Sequence, residues 1–134
     1  MADDIHDIAN LKSLYCATSD LGVENPEAGR AQFANLFTPD FFGDFGMMTF
    51  DGPQAITDFL TTVVAAGSEW MVHMLGSPRI VVNGDSATGD WTVLVWSKRV
   101  EGGEPSRVIG RYSDQFLRTV EGWRISRIEF KSYN

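Results

Sequence analysis

The sequence contains few of the residues that metal sites and disulfide frameworks require. Among its 134 residues there are one cysteine, Cys16, and two histidines, His6 and His73. A single cysteine excludes an intramolecular disulfide and any zinc site built from several thiolates. Two histidines leave few ways to build a transition-metal site. We therefore expect no metal.

Positive charge and long apolar stretches are also scarce. Eleven Lys and Arg stand against 18 Asp and Glu, so the formal net charge is −7. Nucleic-acid binding needs clustered cations that neutralise phosphates, and this composition argues against it. The uncharged stretch from Phe59 to Ser68 is too short to span a bilayer. The acidic N-terminus lacks the basic region and apolar core of a signal peptide. We expect a single domain over residues 1–134, cytoplasmic and without a membrane or nucleic-acid partner.

Three N-terminal segments have apolar residues at helical spacing. The first follows a capping residue, Asp3 or Asp4, and ends near Asp20. The second is predicted over residues 27–37, before a turn at residues 38–40. The third follows Gly52-Pro53 and ends at Gly67, and its apolar stripe consists of Ile56, Phe59, Leu60, Val63 and Val64.

The remaining segments favour strands. Residues 41–50 suit a hairpin, and longer strands are predicted over 70–82, 87–98, 107–119 and 123–133. Asn83-Gly84-Asp85 is a strong hairpin signal. In the third long strand the more apolar, inward-facing positions are Val108, Gly110, Tyr112, Asp114 and Phe116. The last strand has apolar residues on both faces, which is typical of a strand with one face in an oligomer interface, although a C-terminal edge strand could show the same pattern. This order predicts an α+β fold, with three N-terminal helices packed on a strongly curved antiparallel sheet.

Seven short motifs, in order along the chain, carry a resemblance to a known family. They are Ile8-x-x-Leu11-x-x-x-Tyr15-x-x-x-x-Asp20, Leu36-Phe37-Thr38-Pro39-Asp40, Gly52-Pro53-x-x-Ile56, His73, Asn83-Gly84-Asp85-x-Ala87, Gly110-x-Tyr112-x-Asp114 and Gly122-Trp123-Arg124-Ile125-Ser126. Together they resemble the SnoaL-like proteins of the nuclear transport factor 2-like superfamily over nearly the whole chain. The resemblance implies a cone-shaped α+β barrel. It leaves the reaction open, because this fold hosts dehydratases, dehydrochlorinases, isomerases, cyclases and non-catalytic proteins.

Asp20 and His73 match the Asp–His dyad of scytalone dehydratase, bile-acid 7α-dehydratase and hexachlorocyclohexane dehydrochlorinase. The resemblance implies that His73 is a general base oriented by Asp20, since a carboxylate fixes the tautomer of a histidine and stabilises its imidazolium. It also implies an active-site role for Tyr15, independence of any cofactor, and a homotrimer or homodimer. The dehydrochlorinase arginine that assists the leaving halide is matched by Ile128, so halide elimination is not expected.

Six residues are candidates for substrate binding in an apolar pocket: Trp70, Trp91, Tyr112, Phe116, Ile128 and Phe50. The same side chains could simply fill the cone, and Tyr15 could likewise be a core residue. If the pocket is open, the expected ligand is a flat or polycyclic hydrophobic molecule with a few oxygens.

The expected function is a cofactor-independent elimination, dehydration first, or a double-bond isomerisation on a hydrophobic cyclic small molecule. One alternative is a non-catalytic ligand-binding or assembly subunit of the same fold. Another is a polyketide cyclase-like ring closure, which also begins with proton abstraction beside a carbonyl.

Overall fold

Helices and a single sheet make up the computed structural model, which describes residues 3–134. The helices are α1 (Asp4–Glu24), α2 (Pro26–Phe33) and a third segment made of α3 (Pro53–Asp58), a π-helical turn (Phe59–Val64) and α4 (Ala65–Gly67). The strands are β1 (Phe37–Asp44), β2 (Thr49–Asp51), β3 (Ser68–Asn83), β4 (Ser86–Arg99), β5 (Ser106–Thr119) and β6 (Gly122–Ser132).

The sheet has the strand order β2-β1-β6-β5-β4-β3 and is curved but not closed. The four long strands form an antiparallel meander, as predicted. One pair differs from the prediction, because β1 lies parallel to β6. The α+β cone with three N-terminal helices is thus confirmed, with a mixed sheet in place of a wholly antiparallel one.

The first helix is longer than predicted. It begins with Asp3 as its cap, whose Oδ1 accepts a hydrogen bond from the His6 backbone at 3.1 Å. It continues past Asp20 to Glu24, and Gly22 lies within it. Gly29 of α2 lets the two helices approach closely at this point, since a Cβ on Gly29 would lie 2.6 Å from the Gly22 Cα. Asp20 therefore lies within the helix.

An ion pair connects the start of α1 to the hairpin between β5 and β6. Arg118 of β5 donates from both terminal nitrogens to the Asp4 carboxylate at 2.9 Å. The Trp123 indole N–H donates to the same carboxylate at 3.2 Å. Hydrogen bonds from Arg118 and Trp123 lower the pKa of Asp4 to about 2. The N-terminus of α1 is thereby held to the β5–β6 hairpin.

The apolar stripe predicted for the third helical segment is confirmed for Ile56, Phe59 and Leu60, which pack in or against the core, and is wrong at Val63. Ile56 is fully buried as predicted, whereas Val63 is 62% exposed and Thr61 is buried. The π-helical turn accounts for the difference, because its wider hydrogen-bonding pattern rotates the following residues away from their α-helical positions. The segment ends at Gly67 as predicted.

Two local features of β1 and β6 also differ from prediction. Residues 38–40 do not reverse the chain but lie within β1, where the pairing with β6 shifts between Phe37 and Phe42.

In β6, the pairing with β5 shifts so that Ser126 is an extra residue. This bulge turns both Ile125 and Ile128 into the interior at 0% exposure. The argument for an oligomer interface from two apolar faces of β6 is therefore wrong.

Gly110 allows β5 to approach β6 closely and offers a test of this packing. A Cβ at Gly110 would lie 2.5 Å from the Phe130 ring and 2.6 Å from the Lys131 carbonyl oxygen. We predict that Gly110→Ala lowers the free energy of unfolding by about 1–3 kcal/mol, the usual cost of overpacking. The control is Gly67→Ala, because a Cβ there would meet nothing within 4 Å. Urea denaturation measures both, and equal stability of the two variants would contradict the packing.

Candidate active site

Asp20 and His73 meet between α1 and the inner face of β3. The Oδ1 atom of Asp20 lies 2.6 Å from the Nδ1 atom of His73. Its other oxygen, Oδ2, accepts a hydrogen bond from the His73 backbone N–H at 3.0 Å. One carboxylate therefore fixes both the ring and the main chain of the histidine. With Nδ1 donating to the carboxylate, Nε2 is the ring nitrogen left free for a substrate.

Strand alternation explains why His73 faces the helix. Val72 and Met74, its two neighbours in β3, are each 46% exposed on the outer face. The His73 side chain is 9% exposed and that of Asp20 is 23% exposed. The pair is thus largely shielded but not sealed from solvent.

Trp70, a predicted substrate-binding residue, lies on the other face of β3. It shares its side of the strand with Val72 and Met74, since residues two apart point the same way. It is half-buried there and pairs with Lys98 of β4. The register therefore directs Trp70 away from the interior that His73 faces.

Five other predicted residues lie in the packed interior of the cone. Each is no more than 3% exposed: Tyr15, Trp91, Tyr112, Phe116 and Ile128. The Tyr15 ring packs edge-on against Tyr112 with centroids 6.3 Å apart. Burial raises the pKa of Tyr15 and of Tyr112 well above the ordinary value. Both hydroxyls are therefore protonated at neutral pH and are able to donate hydrogen bonds.

A second buried pair, which the sequence patterns did not predict, involves a residue nearer the N-terminus of α1. The Nζ atom of Lys12 is 2.8 Å from Oδ2 of Asp114, and both side chains are 0% exposed. The ammonium also lies 3.4 Å from the ring centroid of Tyr112 and 4.4 Å from that of Tyr15. Within residues 3–134, neither charged group has a further hydrogen-bond partner. Ring faces thus provide most of the environment of the cation.

The sequence did contain a signal for this pair. Lys12 follows Ile8 by four positions and precedes Tyr15 by three, so helical periodicity places it on the buried side of α1. A buried lysine needs an acidic partner, and Asp114 is the acid on the inward side of β5. Burial raises the pKa of Asp114 to about 6, although Lys12 acts in the opposite direction.

Cys16 lies one helical turn from both Lys12 and Asp20 on the buried side of α1. Burial raises the pKa of its thiol to about 12, with Lys12 opposing the shift. A thiol with this pKa is protonated at neutral pH and is a poor nucleophile. Cys16 is therefore a packing residue of the site.

A cavity of about 750 Å³ opens where the β1–β2 hairpin, the third helical segment and the end of β6 meet. Phe50 is the predicted substrate-binding residue in its lining, which includes neither Asp20 nor His73. Ring contacts connect this cavity to the interior, because Phe130 in its wall lies 5.2 Å from Tyr112 between centroids.

Within residues 3–134, no group of three or more His, Cys, Asp or Glu side chains is placed to hold a metal ion. In the same part of the chain, none of the helices has the length and apolar character needed to cross a bilayer.

The curved sheet, the helices packed in it and the Asp–His pair define a nuclear transport factor 2-like cone. The chain belongs to the SnoaL-like domain family, whose model matches residues 1–129. An uncharacterized protein from Mycobacterium tuberculosis strain H37Rv is 31% identical over 103 residues, which are 73% of this chain and 69% of that protein. The family resemblance stated from the sequence motifs is thus confirmed.

Solved structures share the fold over nearly the full chain. A proposed aromatic ring hydroxylase from Novosphingobium aromaticivorans superposes with a TM-score of 0.84 at 25% identity, covering 98% of this chain and 90% of that one. A hexachlorocyclohexane dehydrochlorinase from Novosphingobium barchaimii gives 0.81 at 21% identity, covering 96% and 86%. A proposed scytalone dehydratase from Novosphingobium aromaticivorans gives 0.83 at 18% identity, covering 97% and 84%.

The buried Lys12–Asp114 pair predicts a contrast between single and double substitutions. Lys12→Met leaves the Asp114 carboxylate buried without its cation, and we expect it to lower the free energy of unfolding by about 3–5 kcal/mol. In Lys12→Met/Asp114→Val no charge is left unpaired, so we expect the loss to be smaller than in the single variant. Urea denaturation measures both. A double variant less stable than Lys12→Met would contradict the assignment.

The raised pKa of Asp114 predicts a pH dependence of stability. Because its folded-state value of about 6 lies above the ordinary 3.8, the folded protein binds more protons between these values than the unfolded chain. The contribution of Asp114 to stability therefore increases as the pH falls through about 6 towards 4. Against Asp114→Asn, which cannot titrate, the wild type should gain stability between pH 7 and pH 4.5. A pH-independent difference in urea unfolding would contradict the raised pKa.

Proposed function

We propose that this protein is a cofactor-independent lyase or isomerase that acts on a hydrophobic cyclic small molecule. His73 is the general base and Asp20 orients it. The observation that carries this proposal is the double contact of the Asp20 carboxylate, at 2.6 Å to the His73 ring and 3.0 Å to its backbone. Two of the similar structures bear the names of a dehydrochlorinase and a proposed dehydratase, and both names denote elimination.

In a dehydration, Nε2 of His73 removes a proton from the carbon next to a carbonyl. The electron pair forms the new double bond as the carbon–oxygen bond of the β-hydroxyl breaks. The imidazolium, stabilised by Asp20, returns the proton to the departing hydroxide, which leaves as water. In an isomerisation, the same proton is returned to a different carbon. Ring closure also begins with this abstraction and belongs to the same group of reactions.

The remaining site residues have supporting roles in this proposal. The protonated hydroxyls of Tyr15 and Tyr112 are donors for a substrate oxygen. Trp91, Phe116 and Ile128 supply apolar surface in the interior, and Phe50 supplies it in the cavity.

Self-association and a cytoplasmic location belong to the same proposal. An apolar area on the outer face of the sheet supports a homotrimer or homodimer. There Met74 pairs with Leu94, and Leu94 pairs with Ile109 on the next strand. Met74 and Ile109 are 46% and 50% exposed, which is typical of a surface that contacts a partner.

A non-catalytic ligand-binding protein is the second candidate function. It is favoured by one observation, namely that the cavity of about 750 Å³ is lined by neither Asp20 nor His73. Turnover separates the two candidates, because a binding protein has none.

Substitution of the two histidines tests the catalytic role. Hydroxylated cyclic ketones are screened for loss of water by the ultraviolet absorbance of the conjugated product. We predict that His73→Gln lowers kcat/KM by at least about 100-fold, since general-base catalysis contributes about 10²–10⁴-fold. Asp20→Asn should also reduce the rate, because it removes the charge that stabilises the imidazolium.

His6→Gln is the matched control, because His6 is exposed at the start of α1. Its turnover should equal that of the wild type, and circular dichroism should show that all three variants are folded. Turnover of folded His73→Gln within tenfold of the wild type would overturn the mechanism.

A further inference from the structure

The cavity at the end of β6 has an aromatic floor. Phe50 and Ile56 are buried at its base, and three half-buried aromatic rings line it. Phe45 lies 5.4 Å from Phe50 and 5.8 Å from Phe130, and Phe50 lies 5.1 Å from Phe59, all between ring centroids. The volume of about 750 Å³ falls within the range of small-molecule sites. This floor offers a wide apolar surface to a ring system or an alkyl chain.

Two cations lie side by side at the rim of the same cavity. Arg111 of β5 and Lys131 of β6 are direct partners across the two strands; both are exposed, and strand alternation places them on the outer side of the cavity, opposite to the inward pair Tyr112 and Phe130. Like charges in this position destabilise a strand pair. Over the described range 3–134, neither side chain has a carboxylate within ion-pair distance. Lys131 instead lies over the Tyr133 ring, with its Nζ atom 5.1 Å from the centroid.

Two carboxylates also line the cavity, and one of them has a cationic partner. Asp44 accepts a hydrogen bond from the Gly46 backbone N–H at 3.0 Å. Glu129 pairs with Arg127 at 3.4 Å. The Gly46 donor is neutral and leaves the charge of Asp44 in place, so among the described residues that line the cavity the two cations outnumber the one carboxylate without a cationic partner.

We propose that this cavity binds a hydrophobic molecule that carries a carboxylate. The Arg111 guanidinium and the Lys131 ammonium hold the carboxylate at the rim, and the apolar part of the ligand lies on the aromatic floor. A shared anion relieves the repulsion between the two cations, and charge-assisted hydrogen bonds to a guanidinium are strong. This inference concerns binding and does not depend on the reaction proposed for His73.

The test compares an acid with its neutral amide. Binding of 1-pyrenebutyrate and of 1-pyrenebutyramide is measured by fluorescence titration. We expect the acid to bind at least about tenfold more tightly, because only the acid pairs with the two cations. We expect Arg111→Gln/Lys131→Gln to abolish this preference while the affinity for the amide stays within about twofold. Rising salt should weaken binding of the acid to the wild type.

A matched control removes the same charge elsewhere. Arg79→Gln/Arg107→Gln changes two arginines that do not line the cavity, and it should retain the preference for the acid. His73→Gln should also retain it, so failure of the catalytic proposal leaves this one standing. Equal affinity of the wild type for both probes would overturn the proposal. So would an acid preference that survives in Arg111→Gln/Lys131→Gln, or no saturable binding of the acid up to its solubility limit.

Discussion

Burial of α1 against the concave face of the sheet is the constraint on which the rest of the structure depends. The helix carries two charged residues on its buried side, eight positions or about 12 Å apart along its axis. Lys12 meets Asp114 of β5 at 2.8 Å, and Asp20 meets His73 of β3 at 2.6 Å. A helix shifted by one residue would leave buried charge unpaired, which costs several kcal/mol. The two contacts thus fix the register of the helix on the sheet.

The same register creates the candidate active site. Asp20 holds His73 by its ring and its backbone, so the orientation of the base depends on where α1 lies. The stability of the cone and the geometry of the dyad are therefore coupled through one helix. The cavity at the end of β6 is built from other elements, which is why its binding role and the chemistry of His73 can be tested separately. The fold alone does not select among the reactions that this scaffold supports.

Much of this architecture could be predicted because it follows local periodicity. Alternation along β5 placed Asp114 inward, and the family motif joined Asp20 to His73 before any distance was known. Other features could not be predicted, because they depend on contacts distant in sequence. One extra residue, Ser126, changes which side of β6 is buried, and a π-helical turn does the same after Asp58. Periodicity placed Lys12 and Asp114 each on a buried side, but their contact depends on how α1 lies on the sheet.

The central claim is that Asp20 fixes the His73 ring with its proton on Nδ1, which leaves Nε2 as the base. The most direct measurement is a long-range ¹H–¹⁵N correlation spectrum of the histidine rings at a pH where His73 is neutral, with exposed His6 as the reference. The account predicts a protonated Nδ1 and an unprotonated Nε2 for His73, and a mixture of tautomers in Asp20→Asn. A His73 ring with its proton on Nε2 in the wild type would contradict it.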